Sequence, residues 1–309
     1  MHRCAALLLS GLALGAGPAL ALDLGNGFAI TGDVELEYLD DGSDDETLAV
    51  HDLTLGWRSQ AGGSFSFGLD VTTQGFDLIQ DDVDNSKLWA AGVLVTPYGE
   101  IAAGRPQPVL ERMFPLPQPG GARYVDILFA SVGGYGGSFL AQTAVLSDYL
   151  DFTGLTVKGT SGALTYGAGA HRIKGPSASA EGYELGAIYR AGGTDLFVAY
   201  EMLDTPVGTL DRWQVAARYA TDRWSVGIHH MDSDYIVTSV AATTLFGDYR
   251  LSDALTIGAQ VISATEWNYT LYGLSAEYGF GRGGFGQLGY LTADEGSDSI
   301  ASASIGYRF

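Results

Sequence analysis

Cysteine is all but absent. The one cysteine of the 309 residues, Cys4, lies in an N-terminal stretch with a basic start (Met1-His2-Arg3), an apolar run (Ala5 to Ala16) and a small-x-small end (Ala19-Leu20-Ala21). That pattern predicts a secretory leader over residues 1–21 and a mature chain over 22–309. Cys4 precedes the apolar run and so is not a lipid acceptor; with the leader gone no thiol remains, which excludes disulfides and thiol chemistry. Past the leader there is no run of about 18 apolar residues, which excludes a spanning helix. Basic residues are scarce as well, 16 Lys and Arg against 36 Asp and Glu, for a formal net charge of −20. A surplus of that sign argues against nucleic acid and anionic surfaces as partners.

What the chain does contain is alternation. Phe28, Ile30, Val34, Leu36 and Tyr38 alternate with polar neighbours, as do Leu53, Leu55 and Trp57, and Phe65, Phe67, Leu69 and Val71. Trp89, Ala91, Val93 and Val95 continue the series. A strand turns successive side chains to opposite faces, so each segment has one apolar wall and one polar wall. Tight turns recur at Ser161-Gly162, Gly192-Gly193, Thr221-Asp222-Arg223, Leu251-Ser252-Asp253 and Gly281-Arg282-Gly283, about one per 30 residues, which is two strands and a loop. Sixteen strands are expected, with 14 or 18 open and with room for one hidden between Phe129 and Leu146. Around Leu150, Phe152, Leu155 and Val157 the apolar phase changes, which predicts a bulge. Aromatics including Tyr38, Trp57, Trp89, Trp213, Tyr219, Trp224, Tyr249, Tyr278 and Tyr307 fall at strand ends, where an interfacial belt needs them. The last segment alternates from Ala301 to Phe309 and ends on the aromatic. A soluble sandwich would leave that apolar edge unpaired, whereas a closed transmembrane barrel has no edge. A propeller or solenoid would carry a recurring signature, and none is present.

One connection breaks the rhythm. Residues 106–148 lack alternation, and Pro106, Pro108, Pro115, Pro117 and Pro119 remove ladder donors, so this segment is not wall. A connection of that length in a compact barrel is usually functional. It follows Gly99-Glu100-Ile101-Ala102-Ala103-Gly104-Arg105. With this run and the Ile305–Phe309 ending, the chain resembles the general diffusion porins of Gram-negative bacteria. The resemblance covers the whole mature length in architecture. It implies an all-β, 16-stranded antiparallel transmembrane β-barrel in the outer membrane, a third loop folded into the lumen as a constriction, and a homotrimer. It also implies contact with outer-membrane lipid and lipopolysaccharide, and recognition of Phe309 by the outer-membrane assembly machinery. One departure is plain: between Pro106 and Ser147 this loop holds only Glu111 and Asp126 as acids, beside Arg112 and Arg123, where family eyelets set an acidic loop against a basic wall.

Charge on the polar faces supplies the candidate site. Asp33, Glu35, Asp52 and Asp70 come from three successive strands and form an acidic lumen wall, with Arg105, Arg112, Arg123, Lys158, Arg190 and Arg218 as counter-charges. Acidic rings favour cations, so a transverse field with weak cation preference is expected, against the plainer reading of charges that merely solvate a wide lumen. A substrate-selective channel and a plugged structural or adhesive barrel are the other readings. An enzyme would need a constellation; His230 near Asp232 and Asp234 is the one candidate pair, and His51 sits on an apolar face. No cofactor is expected. Asp41, Asp44, Asp82 and Asp84 are weak candidates for loop-bound Ca²⁺ or Mg²⁺, but Asp82-Val83-Asp84 lacks the glycine and glutamate of a helix–loop–helix calcium site.

Overall fold

The computed structural model describes residues 21–59, 64–80, 83–113, 137–147, 149–234, 239–265, 269–294 and 299–309. The alternating segments form β1 (Leu22–Gly25), β2 (Phe28–Asp40), β3 (Asp45–Arg58), β4 (Ser66–Leu78), β5 (Val83–Thr96) and β6 (Gly99–Arg105). After the long connection come β7 (Asp151–Ser161), β8 (Leu164–Lys174), β9 (Ser179–Ala191), β10 (Thr194–Thr205), β11 (Gly208–Ala220) and β12 (Trp224–Asp234). The series ends with β13 (Ser239–Arg250), β14 (Leu255–Ala264), β15 (Tyr269–Gly279), β16 (Gly284–Ala293) and β17 (Ser299–Arg308).

Each strand from β2 onward pairs antiparallel with the next, and β17 returns to β2, from Ala301 opposite Asp40 to Arg308 opposite Asp33. The ring is therefore closed and has sixteen strands. β1 is a short seventeenth that takes up the rest of the β2 edge below β17, with Leu22 opposite Ile30. The Phe309 amide donates to the Gly32 carbonyl (2.8 Å) where the two meet. Most strands run 10–14 residues. At roughly 3.3 Å per residue and a tilt near 45° that suffices to cross about 25–30 Å of hydrocarbon. At one end of the barrel the turns are short, such as Gly192-Gly193, both with positive φ (59° and 83°) as a two-residue hairpin requires. The wider connections, including the long one, lie at the other end.

The two faces of the wall differ as the alternation requires. On β10, Leu196, Val198 and Tyr200 are exposed on the outside, while Phe197, Ala199, Glu201 and Leu203 are buried on the inside. Outward aromatics form a continuous girdle at the short-turn end, through Trp57, Phe67, Tyr166, Tyr189, Tyr219, Trp224, Tyr249 and Tyr278.

Three expectations need correction. Trp89 is not a belt residue: it pairs with Thr72 on the inner face, is 1% exposed, and meets the Phe152 ring edge-on at 5.5 Å. No bulge interrupts β7, whose registers with β6 and β8 run unbroken, because Phe152 turns inward onto the folded-in connection. In the stretch that could hide a strand, the described residues form a helix, α1 (Phe139–Leu146), whose N-cap Ser138 accepts from the Ala141 amide (3.2 Å), and residues 129–136 lie outside the described residues.

Gly32 has φ +114°, and a Cβ there would overlap the Asp52 carbonyl oxygen. Gly32→Val should therefore reduce the folded fraction at the β1–β2–β17 seam, read as loss of the heat-modifiable band on unheated gels.

Candidate functional site

The connection between β6 and β7 crosses the inside of the barrel. Val109, Leu110 and Met113 are buried against the inward Ile188, Phe197 and Ala199 of β9 and β10. α1 packs Phe139, Leu140 and Ala144 against Trp89, Phe152, Ile173, Leu203 and Leu210, and Val145 against Leu39, Leu48 and Phe76. Each such side chain removed from water contributes on the order of 1.5–3 kcal/mol, so apolar packing presses both arms onto the wall.

Two glutamates fix where the arms sit. Glu184 of β9 accepts from the Val109 amide (2.7 Å), the Leu110 amide (2.9 Å) and His171 Nε2 (2.8 Å). Glu201 of β10 accepts from Ser138 Oγ (2.6 Å), the Phe139 amide (2.8 Å) and the Leu140 amide (3.3 Å), all at the start of α1. Glu111 links the arms, accepting from Gln74 Nε2 (2.7 Å) and the Ser138 amide (2.8 Å). Burial holds the Glu111 carboxyl above its usual range, with the charges of Glu201 and Glu184 adding to the rise. Arg212 reaches α1 from β11: its guanidinium lies 5.3 Å from the Phe139 ring and donates to Gln142 Oε1 (3.3 Å).

Beside the arms is a cavity of about 490 Å³, lined on one side by Asp33, Asp52, Thr54, Asp70 and Thr72 and on the other by Arg105, Gln107 and Arg112. Arg58 also lines it, gripping Asp70 with two bonds (2.5 and 3.0 Å) and reaching Glu100 (3.3 Å). Glu100 in turn holds Arg112 (2.6 Å). An alternating chain of charges thus ties β3, β4 and β6 to the connection. Gly56 makes room for it, since a Cβ would lie 3.2 Å from Asp70 Oδ1.

The acidic wall read from the sequence is accordingly divided. Asp33 and Asp52 face each other across β2–β3 and Glu35 is buried beside them, but Asp70 is neutralised by Arg58. Among the counter-charges, Arg105 pairs with Asp151 (2.6 Å), Arg190 with Asp195 (3.6 Å) and Arg218 with Asp248 (4.0 Å). Lys158 donates to the Arg112 carbonyl (3.2 Å). Arg123, Asp126 and Asp82 lie outside the described residues. Asp41 is occupied by its own turn, where amides of Ser43 and Asp44 hold its carboxyl below the usual range. Asp44 accepts from Asp45, and among the described residues no three acidic, Cys or His groups converge on a metal position. His230 bonds Thr243 Oγ1 (2.8 Å) and lies 5.1 Å from the Trp213 ring, tilted against it, on the outer face.

Sequence reasoning missed Arg58, Glu100, Glu184, Glu201 and Arg212. Glu184 and Glu201 had a signal: two acids in the inward phase of consecutive strands whose other inward residues, from Gly182 to Ile188 and from Phe197 to Leu203, are apolar or small.

A closed sixteen-strand wall with a connection folded inside is the architecture of the outer-membrane porins, and the chain has that fold. The Rhodopseudomonas blastica porin, as a triple mutant, superimposes with a TM-score of 0.67 at 15% identity, over 91% of this chain and all of that one. A structure described as showing asymmetric conductivity of engineered proteins gives 0.68 at 15% over the same shares. A loop-deletion mutant of OmpT, an outer membrane protein of Vibrio cholerae, gives 0.65 at 13%, over 91% of this chain and 99% of its own. No family model and no curated protein matches the sequence.

Glu201→Ala removes an acceptor of three bonds at the start of α1 and the carboxylate opposite Arg212 across β10–β11, a loss on the order of 3–5 kcal/mol. Single-channel recordings of this variant should show larger and noisier steps than the parent. Gly167→Val, which would drive a Cβ to within 2.5 Å of Met113 Sδ, should act in the same direction through packing alone.

Proposed function

We propose that this chain is an outer-membrane porin that lets small hydrophilic solutes and ions diffuse passively through a water-filled lumen. The observation that carries the reading is the contrast between the two faces of one closed wall: apolar and girdled outside, charged around a 490 Å³ cavity inside. Sixteen strands enclose more space than side chains fill, and the chain needs no cofactor and no turnover for this role. Weak cation preference is supported by Asp33, Asp52 and Asp70 beside the cavity, because acidic rings draw cations. Purified protein in a planar bilayer under a KCl gradient should give discrete steps and a modest cation-selective zero-current potential, reduced in Asp52→Asn. Silence would refute the channel, and an anion-selective potential would refute the preference.

The homotrimer is part of this reading and has support of its own. At the wide-loop end, outward aromatics occur on β2, β9, β10, β11, β15 and β16 as Tyr38, Tyr183, Tyr200, Trp213, Tyr272 and Tyr290. Over β3–β8 the girdle stops, and His51 bonds Thr73 (3.0 Å) on that outer face. Polar and small residues make a poor lipid surface and a good protein one. In the cysteine-free mature chain, His51→Cys should cross-link copies to one another, while Leu274→Cys on β15 should not.

A further inference from the structure

The sixteen-strand wall is joined at one place without a connection of its own. Every other neighbour pair from β2 to β17 is consecutive in sequence, whereas β17 meets β2 from the far end of the chain. A hairpin brings its two strands together at small entropic cost and fixes their register through its turn, and the β17–β2 seam has neither advantage. Non-local pairing of this kind is also slow. The seam therefore depends on attraction between side chains at its two edges.

Arg308, the last residue of β17, supplies that attraction from the inner face. Its guanidinium reaches across β16 to Glu277 of β15 and donates two bonds (2.8 and 2.7 Å). On the way it lies 3.9 Å from the centroid of the Phe285 ring of β16, within cation–π range. The ring has room there because the partner of Phe285 across the ladder is Gly306, where a Cβ would overlap it. Two strands on the near side of the seam thus hold the guanidinium in place. On the far side Asp33 is directly opposite Arg308, and the charges of Asp33 and Glu35 act on it. The chain ends at this contact, with the Phe309 amide on the Gly32 carbonyl.

We propose that Arg308 is the strap that closes the barrel. β15, β16 and β17 position its guanidinium, and the acidic inner edge of β2 docks on it as the last rungs form. Backbone pairing then completes the seam, while the strap decides how fast the two edges find each other. This role belongs to the wall and is independent of what crosses the lumen.

Refolding of the urea-denatured chain, residues 22–309, into detergent micelles tests it. Far-ultraviolet circular dichroism reports strand content, and the heat-modifiable band on unheated gels reports closure. Arg308→Gln should gain strand content at the parental rate and close about tenfold more slowly, the effect of roughly one charge-assisted contact. Glu277→Gln should show the same delay, and the double variant no more than either single one, because both act through one contact. Asp33→Asn removes only the β2 end and should also delay closure, which keeps the strap testable if Arg308→Gln forms no strands. Asp195→Asn, which breaks the Arg190 pair (3.6 Å) within the β9–β10 hairpin, should close like the parent. Closure at the parental rate in Arg308→Gln or in Asp33→Asn overturns the strap, and so does an equal delay in Asp195→Asn. Loss of strand content in both Arg308→Gln and Asp33→Asn overturns it too, because strand formation and not closure would then be the step affected.

Discussion

Two carboxylates facing each other across one rung of the ladder decide the interior of this barrel. Glu201 and Glu184 are direct partners on β10 and β9, and both are buried. Side by side in a dry site, two such charges would be strongly unfavourable. Donors from the β6–β7 connection offset that: the amides of Val109 and Leu110 on one carboxylate, and Ser138 Oγ with the first amides of α1 on the other. The connection therefore has one place to lie. Its apolar side chains supply adhesion to the wall, and the two glutamates supply the register.

Much else follows from the connection being there. Because it covers part of the inner wall, the inward positions beneath it on β5, β7, β9 and β10 are apolar and buried, as with Trp89, Phe152, Ile188 and Phe197. The open part of the lumen is left against β2–β6, where small residues and paired charges line the cavity. The alternating series Asp70, Arg58, Glu100, Arg112 joins that wall to the connection. Charge and shape in the open half are thus set by the same segment that fills the other half.

The barrel was legible in the sequence because most strands have one apolar face, and strict alternation from Ala301 to Phe309 leaves little choice of register. The turns were legible for a similar reason, since Gly192-Gly193 fits a two-residue hairpin. Legibility failed where both faces are apolar. At Trp89 and Phe152 the inward residue packs on the connection, so hydrophobicity no longer distinguishes lipid from lumen, and a phase change was read as a bulge. The site was half legible. Asp33, Asp52, Arg105 and Arg112 do converge, but pairing is a long-range property: nothing near Asp70 in sequence reveals that Arg58 neutralises it across the ladder. Glu184 and Glu201 were visible as acids in an inward phase, yet their partners lie about 60 to 75 residues away.

The central claim is that one face of a closed wall meets water and the other meets lipid. Residues 22–309 contain no cysteine, which allows a direct measurement along β3. Single cysteines at Asp52, Leu53, Thr54 and Leu55 would be exposed to a charged, water-soluble thiol reagent while current is recorded. The account predicts that reagent lowers the current through Asp52→Cys and Thr54→Cys and leaves Leu53→Cys and Leu55→Cys unchanged. Block that ignores this parity, or no current through any of the four, would contradict it.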